Sequence, residues 1–223
     1  MLRVAFVPGV MPGKWGRIWN ERFPDNRLVL TPLPEPEIVP SLQALDADMA
    51  LTRLPVDENF HQIMLYEEQI VVVFTKDHPL EDSKAVDRAV LARENILTDH
   101  SKETFERVAT GEAMAIVPAS VARVFARNDV VSRPMPDEPL APVGLIWDKD
   151  LRDENDDARQ EFVGIVRGRT ANSSRGSLKD EPEVSAKPQK QKQSQRPKER
   201  NRPFYPRQTR NAPKNIQRKR KSR

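Results

Sequence analysis

The sequence predicts an α/β fold for residues 1–167 and no packed core for residues 168–223. In the first part, short apolar runs typical of buried strands alternate with segments whose apolar residues recur at helical spacing. Residues 1–167 contain 19 Lys and Arg against 29 Asp and Glu, a net charge of −10, whereas residues 168–223 contain 18 against 4, a net charge of +14. A charge asymmetry of this kind indicates a folded domain with a basic arm.

The start of the chain predicts the order β-α-β-α-β. The runs "LRVAFVP", "RLVLTPL" and "DMALTRL" predict three strands, the first of which ends at the turn Pro8-Gly9. Trp15 and Trp19 lie on one face of the first helix, so we interpret them as core or dimer-surface residues. We expect Pro40 in the first turn of the second helix, because an interior proline removes a helical hydrogen bond. This order favours a parallel sheet covered by helices.

The rest of the domain continues the alternation. A run of alternating residues, the apolar run Ile70–Phe74 and the segments "AMAIVP", "DVVSRPM" and "PVGLIWD" predict strands, with a shorter one at 95–98. Short helices are predicted near 87–92, after a Ser101 cap and after Pro118. The acidic stretch "DENDDARQEF" places negative charge at the start of a last helix, where the helix dipole favours it.

Four segments, taken in this order and spacing, resemble the effector-binding domain of LysR-type transcriptional regulators: "LRVAFVPGV", "ALDADMALTRL", "LYEEQIVVVFTKDHPL" and "AMAIVPASVA". The resemblance covers residues 1–167 and implies the fold of type 2 periplasmic binding proteins, with two Rossmann-like α/β subdomains and a small-molecule cleft between them. We expect subdomain I to comprise residues 1–75 and 141–167, and subdomain II residues 76–140, with hinge strands crossing near Lys76 and Leu140.

Two departures from the family pattern are expected. The chain starts at the first strand of the effector domain, so we expect it to lack the winged helix-turn-helix that reads DNA in full-length regulators. A gene start placed too far downstream would produce the same sequence. The second subdomain is also short between "NILTDH" and "AMAIVP", where the family has more residues.

Candidate ligand-binding residues follow the predicted strands, because the cleft of an open α/β sheet lies at the carboxyl ends of its strands. Arg53 would pair a ligand carboxylate, unless it pairs with Asp57 or Glu58 instead. Glu35 would repel an anionic ligand. The complete set of candidates is Gly9, Val10, Met11, Glu35, Thr52, Arg53 and Thr98.

Several functional classes are disfavoured by composition. The chain contains no cysteine, which excludes disulfides and thiolate chemistry. The histidines, His61, His78 and His100, are scattered without a second ligand at metal spacing, so we predict no metal and no cofactor. No nucleophile–base constellation is visible, so we predict no enzyme. No apolar run reaches the length of a membrane span, and we expect no membrane partner and a cytoplasmic location.

Residues 168–223 lack a periodic apolar face, so we expect disorder from about residue 171. Cations interleaved with proline and glutamine suit sequence-independent binding to phosphates of RNA or DNA. A solubilising tail and a tail lying on the acidic body are the two alternatives. The candidate nucleic-acid-binding residues are Arg196, Lys198, Arg200, Arg202, Arg207, Arg210, Arg218, Lys219, Arg220 and Lys221.

The prediction is therefore a non-catalytic protein of LysR lineage that senses a small-molecule effector in transcription regulation. The alternative is a nucleic-acid-associated protein whose basic tail binds RNA or DNA and whose α/β body is a scaffold. Because family domains often pair side by side, a homodimer is an expected assembly.

Overall fold

The computed structural model describes residues 1–151 and 155–168, all of which lie in one unit that extends from Met1 to Gly176. The strands are β1 (Leu2–Phe6), β2 (Leu28–Pro32), β3 (Met49–Arg53), β4 (Phe60–Glu68), β5 (Ile70–Thr75), β6 (Ile96–Leu97), β7 (Met114–Pro118), β8 (Val130–Pro134) and β9 (Ala141–Asp148). The α-helices are α1 (Gly13–Arg22), α2 (Glu35–Gln43), α3 (Lys102–Ala109), α4 (Ala119–Val124) and α5 (Asp156–Val166), with a 3-10 turn at Arg88–Leu91.

The strands form two sheets, which define two lobes. The first sheet has the order β2-β1-β3-β9-β4; β1 is parallel to both β2 and β3, and β9 is antiparallel to its neighbours β3 and β4. The second sheet has the order β6-β7-β5-β8, with β6 parallel to β7. The predicted parallel β-α-β-α-β unit and the two α/β subdomains are both confirmed.

The chain enters the second lobe earlier than the sequence predicted. Gln69 alone separates β4 in the first sheet from β5 in the second. The predicted boundary at residue 75 is therefore wrong, because it assigns β5 to subdomain I. The "LYEEQIVVVF" stretch changes from alternating to continuous hydrophobicity at this point, since β4 is an edge strand and β5 is central. The return crossing lies between β8 and β9.

The first lobe is built around a single apolar core. Trp19 is fully buried in it, packs its ring at 6.0 Å from that of Phe162 on α5, and donates from Nε1 to the Asn26 carbonyl at 2.6 Å. Trp19 is thus a core residue, with Trp15 partly buried beside it. α1 contacts β2 and α5, whereas α2 contacts β1, β3 and β9.

The second lobe has a cluster of buried side chains on each face of its sheet. Val71 and Val73 of β5 pack with α3 and α4, while the alternate residues Val72 and Phe74 pack with Leu91 and other apolar residues. A strand covered on both faces reads as a continuous apolar run, which explains the sequence of β5.

Two helix termini test the local predictions. Ser101 caps α3 as expected, by accepting a hydrogen bond from the Thr104 amide at 3.2 Å, and Gly111 has a φ of +75° just beyond the helix. Pro40, however, lies inside α2 and not in its first turn. Its ring removes one hydrogen bond to the first turn, a loss that a nine-residue helix held by the buried residues Ile38 and Leu42 tolerates.

None of the helices in the described ranges combines the length and apolar character needed to cross a membrane. The predicted disorder of the tail and its ten candidate cations lie outside the described residues.

Candidate functional site

The candidate site lies where the carboxyl ends of β1, β2 and β3 face the second lobe. Three connections meet there: the turn after β1, the start of α2 after β2, and the end of β3. The second lobe contributes the starts of α3 and α4, which follow β6 and β7. Backbone topology therefore brings residues far apart in sequence to one edge.

The backbone at Gly9 closely approaches the second lobe. Its φ of +95° belongs to the left-handed region, which favours glycine. A Cβ at this position would lie 2.8 Å from Cβ of Ser120, the second residue of α4, and closer still to its Oγ. The Pro8-Gly9 turn thus allows the two lobes to touch.

Arg53 at the end of β3 is buried, with 8 % of its surface exposed, and its guanidinium contacts acceptors of the protein itself. Nη1 donates to Oε2 of Glu35 at 3.2 Å, and Nη2 lies 3.0 Å from the Pro8 carbonyl oxygen and 3.4 Å from both Glu68 Oε2 and Ser120 Oγ. The alternative that Arg53 pairs with Asp57 or Glu58 is wrong. Those residues follow β3 in the turn before β4, whereas the guanidinium points toward the lobe boundary.

Glu35, the first residue of α2, joins the two lobes. Its Oε2 accepts from Arg53 and also lies 2.6 Å from Nδ1 of His100, which belongs to the second lobe. Burial alone would raise the pKa of Glu35, but the hydrogen bond and charge of His100, together with Arg53, lower that pKa below its usual value. An ionised carboxylate only accepts, so Nδ1 of His100 carries a proton.

A cleft of about 400 Å³ opens beside this contact. The first lobe supplies residues from the ends of β1 and β2 and the start of α2, and the second lobe supplies the turn before α3, the first two residues of α3 and one aromatic residue after α4. The lining comprises Pro8, Pro32, Leu33, Pro34, Glu35, Pro36, Asp99, His100, Ser101, Lys102, Glu103 and Phe125.

The predicted site residues take different places around the cleft. Glu35 lines it, while Arg53 lies behind Glu35. Val10 and Thr52 are buried, at 3 % and 2 % exposure, and Val10 belongs to the first-lobe core. Met11 is 83 % exposed, and neither Met11 nor the exposed Thr98 is among the described residues that line the cleft. Their roles as ligand contacts stay predictions.

Sequence reasoning missed His100, Glu68 and Ser120 at this site. His100 was grouped with the scattered histidines, but its place directly before the Ser101 cap puts it at the start of α3. Ser120 is the second residue after β7, in the first turn of α4, where strand ends approach the cleft. A small polar residue at the end of a parallel strand is the signal that was available.

Comparisons with known proteins agree with this architecture. The family model described as "LysR substrate binding domain" matches residues 2–107. Residues 2–107 belong to the LysR substrate binding domain family. The match extends from β1 into α3, so it includes Gly9, Glu35, Arg53 and His100. No curated protein matches the sequence significantly.

Solved structures show that the LysR substrate-binding fold continues beyond the matched segment. The oxidised form of OxyR is 19 % identical with a TM-score of 0.61, covering 75 % of this chain and 94 % of that one. The effector-binding domain of a BenM variant is 17 % identical with a TM-score of 0.62, covering 74 % and 92 %. A mutant OxyR regulatory domain from Pseudomonas aeruginosa is 19 % identical with a TM-score of 0.58, covering 74 % and 95 %. At these identities the similarity establishes the fold.

The described residues contain no group of three or more His, Asp or Glu placed to hold a metal ion.

Proposed function

We propose that the protein senses a small-molecule effector in the cleft between its lobes, in the context of transcription regulation. The observation that carries the proposal is the 400 Å³ cleft lined by both lobes at the carboxyl ends of the parallel strands. A cavity of this size accommodates a metabolite-sized ligand, and its position is that expected for binding sites in open α/β sheets. Membership of residues 2–107 in the LysR substrate binding domain family supports it.

The signal would be a change in how the lobes are oriented. A ligand that contacts α2 and the start of α3 at once gains more free energy in one lobe orientation than in another, and it shifts the population accordingly. Contacts between the lobes, such as that of Glu35 with His100, set the relative orientation of the lobes in the absence of ligand. Rigid-body closure of two lobes around a ligand is a common response in folds of this kind.

A non-catalytic role is part of this proposal. The similar structures are named as regulatory or effector-binding domains. The polar groups around the cleft form an ion-pair network in which Arg53 is paired on both terminal nitrogens. Such a network suits the binding of a ligand and the positioning of the two lobes.

The test is a metabolite screen by thermal unfolding of the full chain, followed by isothermal titration of the compounds that stabilise it. Glu103→Trp places a large side chain in the cleft from the exposed start of α3, and Glu106→Trp makes the same change on α3 outside the cleft. We expect at least one metabolite to stabilise the wild type and Glu106→Trp but not Glu103→Trp. Equal stabilisation of all three chains would place binding elsewhere.

Nucleic-acid binding by residues 168–223 is the second candidate function, and the net charge of +14 in that segment favours it. Neutralising about 6–10 phosphates would reduce affinity roughly 10³–10⁵-fold between 50 and 200 mM salt. We expect a chain that lacks residues 168–223 to lose RNA and DNA retention while keeping any metabolite response. Retention by the truncated chain would contradict this candidate.

A further inference from the structure

We propose that the cleft binds a ligand with an ammonium group on an aryl or alkyl body, and not a carboxylate. The proposal rests on the proposed sensing function and names the class of effector. It follows from three features of the cleft: an arginine whose donors are used by protein acceptors, helix N-termini in which several amide donors are used or absent, and carboxylate oxygens without a partner among the described residues.

Arg53, which the sequence suggested as the carboxylate partner, is not available to a ligand. Nη1 donates to Glu35 and Nη2 faces Pro8, Glu68 and Ser120, so both terminal nitrogens contact protein acceptors. Nε has no hydrogen-bond partner among the described residues, but it is sealed from solvent. An anionic ligand would have to compete with Glu35 for Arg53 and would place a second carboxylate beside the half-buried Glu35, which is costly.

The two helix N-termini at the cleft offer little to an anion. In α2, Pro36 has no N–H, and the Glu37 amide donates to the Pro34 carbonyl at 2.9 Å. In α3, Thr104 donates its amide to the Ser101 hydroxyl, and the Ser101 amide donates to Oδ1 of Asp99 at 2.9 Å. Acidic residues in the first turn of each helix already complement the helix dipole.

Several hydrogen-bond acceptors at the cleft have no donor among the described residues, and most of them belong to carboxylates. Both described contacts of Glu35 involve Oε2, which leaves Oε1 without a partner among the described residues. Glu103 lines the cleft and has no hydrogen-bond or ion-pair partner within residues 1–151 and 155–168. Nε2 of His100 is a further acceptor when the ring is neutral, because Nδ1 then holds the proton. An ammonium group, with three donors, matches this set.

Lys102, which also lines the cleft, does not cancel the preference for an ammonium ligand. The Lys102 ammonium pairs with Glu106 at 3.1 Å on the exposed side of α3, with a side chain that is 75 % exposed. Asp99 uses both carboxylate oxygens at the start of α3, on the Ser101 amide and the Thr104 hydroxyl. The negative charge available to a ligand in the cleft therefore lies on the carboxylates of Glu35 and Glu103.

The body of the ligand would lie against an apolar wall. Prolines from the ends of β1 and β2, with Leu33, form one side of the cleft, and the Phe125 ring contributes from the second lobe. Rigid apolar surface of this kind suits a flat ring or a short chain. An aromatic ring within reach also favours a cation through its π-face.

The experiment uses three probes that differ in their polar end: 3-phenylpropylammonium, 3-phenylpropan-1-ol and 4-phenylbutanoate. Each is titrated calorimetrically at neutral pH into the full chain, Glu35→Gln, Glu103→Gln and Glu37→Gln. Glu37→Gln is the matched control, because it removes the same charge from the first turn of α2 but lies outside the described lining of the cleft. Circular dichroism checks that each variant is folded.

We expect the ammonium probe to bind more tightly than the alcohol, and the carboxylate probe to bind least. Glu35→Gln should weaken ammonium binding by about tenfold or more, since a charge-assisted hydrogen bond contributes more than a neutral one. Glu37→Gln should leave the dissociation constant unchanged. Preferential binding of the carboxylate, or no ammonium binding by a folded wild type, overturns the ligand class. The metabolite screen decides the sensing function separately.

Discussion

Glu35 and His100, which are 65 positions apart in the chain, lie 2.6 Å apart and join the two lobes across the cleft. Glu35 begins α2 in the first lobe and His100 directly precedes the cap of α3 in the second. The same carboxylate oxygen holds Arg53, so one side chain connects the lobe boundary to the buried end of β3.

The contact between Glu35 and His100 should be measurable as a coupling energy. We expect a double-mutant cycle of Glu35→Ala and His100→Ala, measured by urea unfolding, to give about 1 kcal/mol of favourable interaction, because the Glu35 side chain is 31 % exposed and solvent screens the pair. A matched cycle on the exposed pair Lys102–Glu106 should give a smaller value. Strict additivity at Glu35 and His100 would mean that the contact does not hold the lobes.

The stability of the protein should fall in acid partly through Glu35. Its folded-state pKa lies below the ordinary value of 4.5, so its contribution is complete above that pH and is lost as the pH falls through the lowered pKa. We expect the free energy of unfolding of Glu35→Gln to depend less on pH than that of the wild type below pH 4.5. Superimposable pH profiles for the two chains would contradict a lowered pKa for Glu35.

A methyl group added at Gly9 should destabilise the protein, because it would push against the second lobe. Gly9→Ala combines a positive φ with a clash against Ser120, so we expect a loss of about 2–4 kcal/mol in unfolding free energy. Gly111→Ala carries a similar φ but meets only Thr75 Cγ2 at 3.8 Å, and should lose about 1–2 kcal/mol. Chemical denaturation compares the two. Equal losses would show that the approach of Gly9 to Ser120 does not matter.

Removing the buried cation should be more costly than removing an exposed one. Arg53→Ala leaves the buried side-chain carboxylate of Glu68 without its charged partner, and we expect a loss of about 3–5 kcal/mol in unfolding free energy. Arg107→Ala removes an exposed pair with Glu112 and should change stability little. Thermal and urea unfolding provide the measurement. A loss at Arg53 no larger than that at Arg107 would show that the network around Glu68 is not stabilising.

Local sequence patterns were sufficient to predict most of the fold. The apolar run at β5, the Ser101 cap and the Pro8-Gly9 turn each depend on a few neighbouring residues, so the elements they mark could be located from the sequence. The boundary at Gln69 could not, because β4 and β5 are adjacent in sequence and only their hydrogen-bonded partners assign them to different sheets. Pro40 was misplaced because the tertiary contacts of α2 override its local penalty.

The site was less predictable because its key contacts join distant parts of the chain. The position of Arg53 at a strand end was visible in sequence, but its partner depended on β4 and α2 converging on one point. The role of His100 is visible only in the folded structure, where the second lobe places it beside Glu35. Contacts across a lobe boundary have no local sequence signature, so three of the participants were missed.

A crystal structure of the full chain with the compound that stabilises it most in the metabolite screen would show whether the effector binds in the cleft. We expect electron density for that compound between the lobes, in contact with Glu35 and with residues at the start of α3. A compound bound elsewhere, for example in the separate cavity of about 360 Å³ beside α2 that Arg3 and Ser41 help to line, would contradict it.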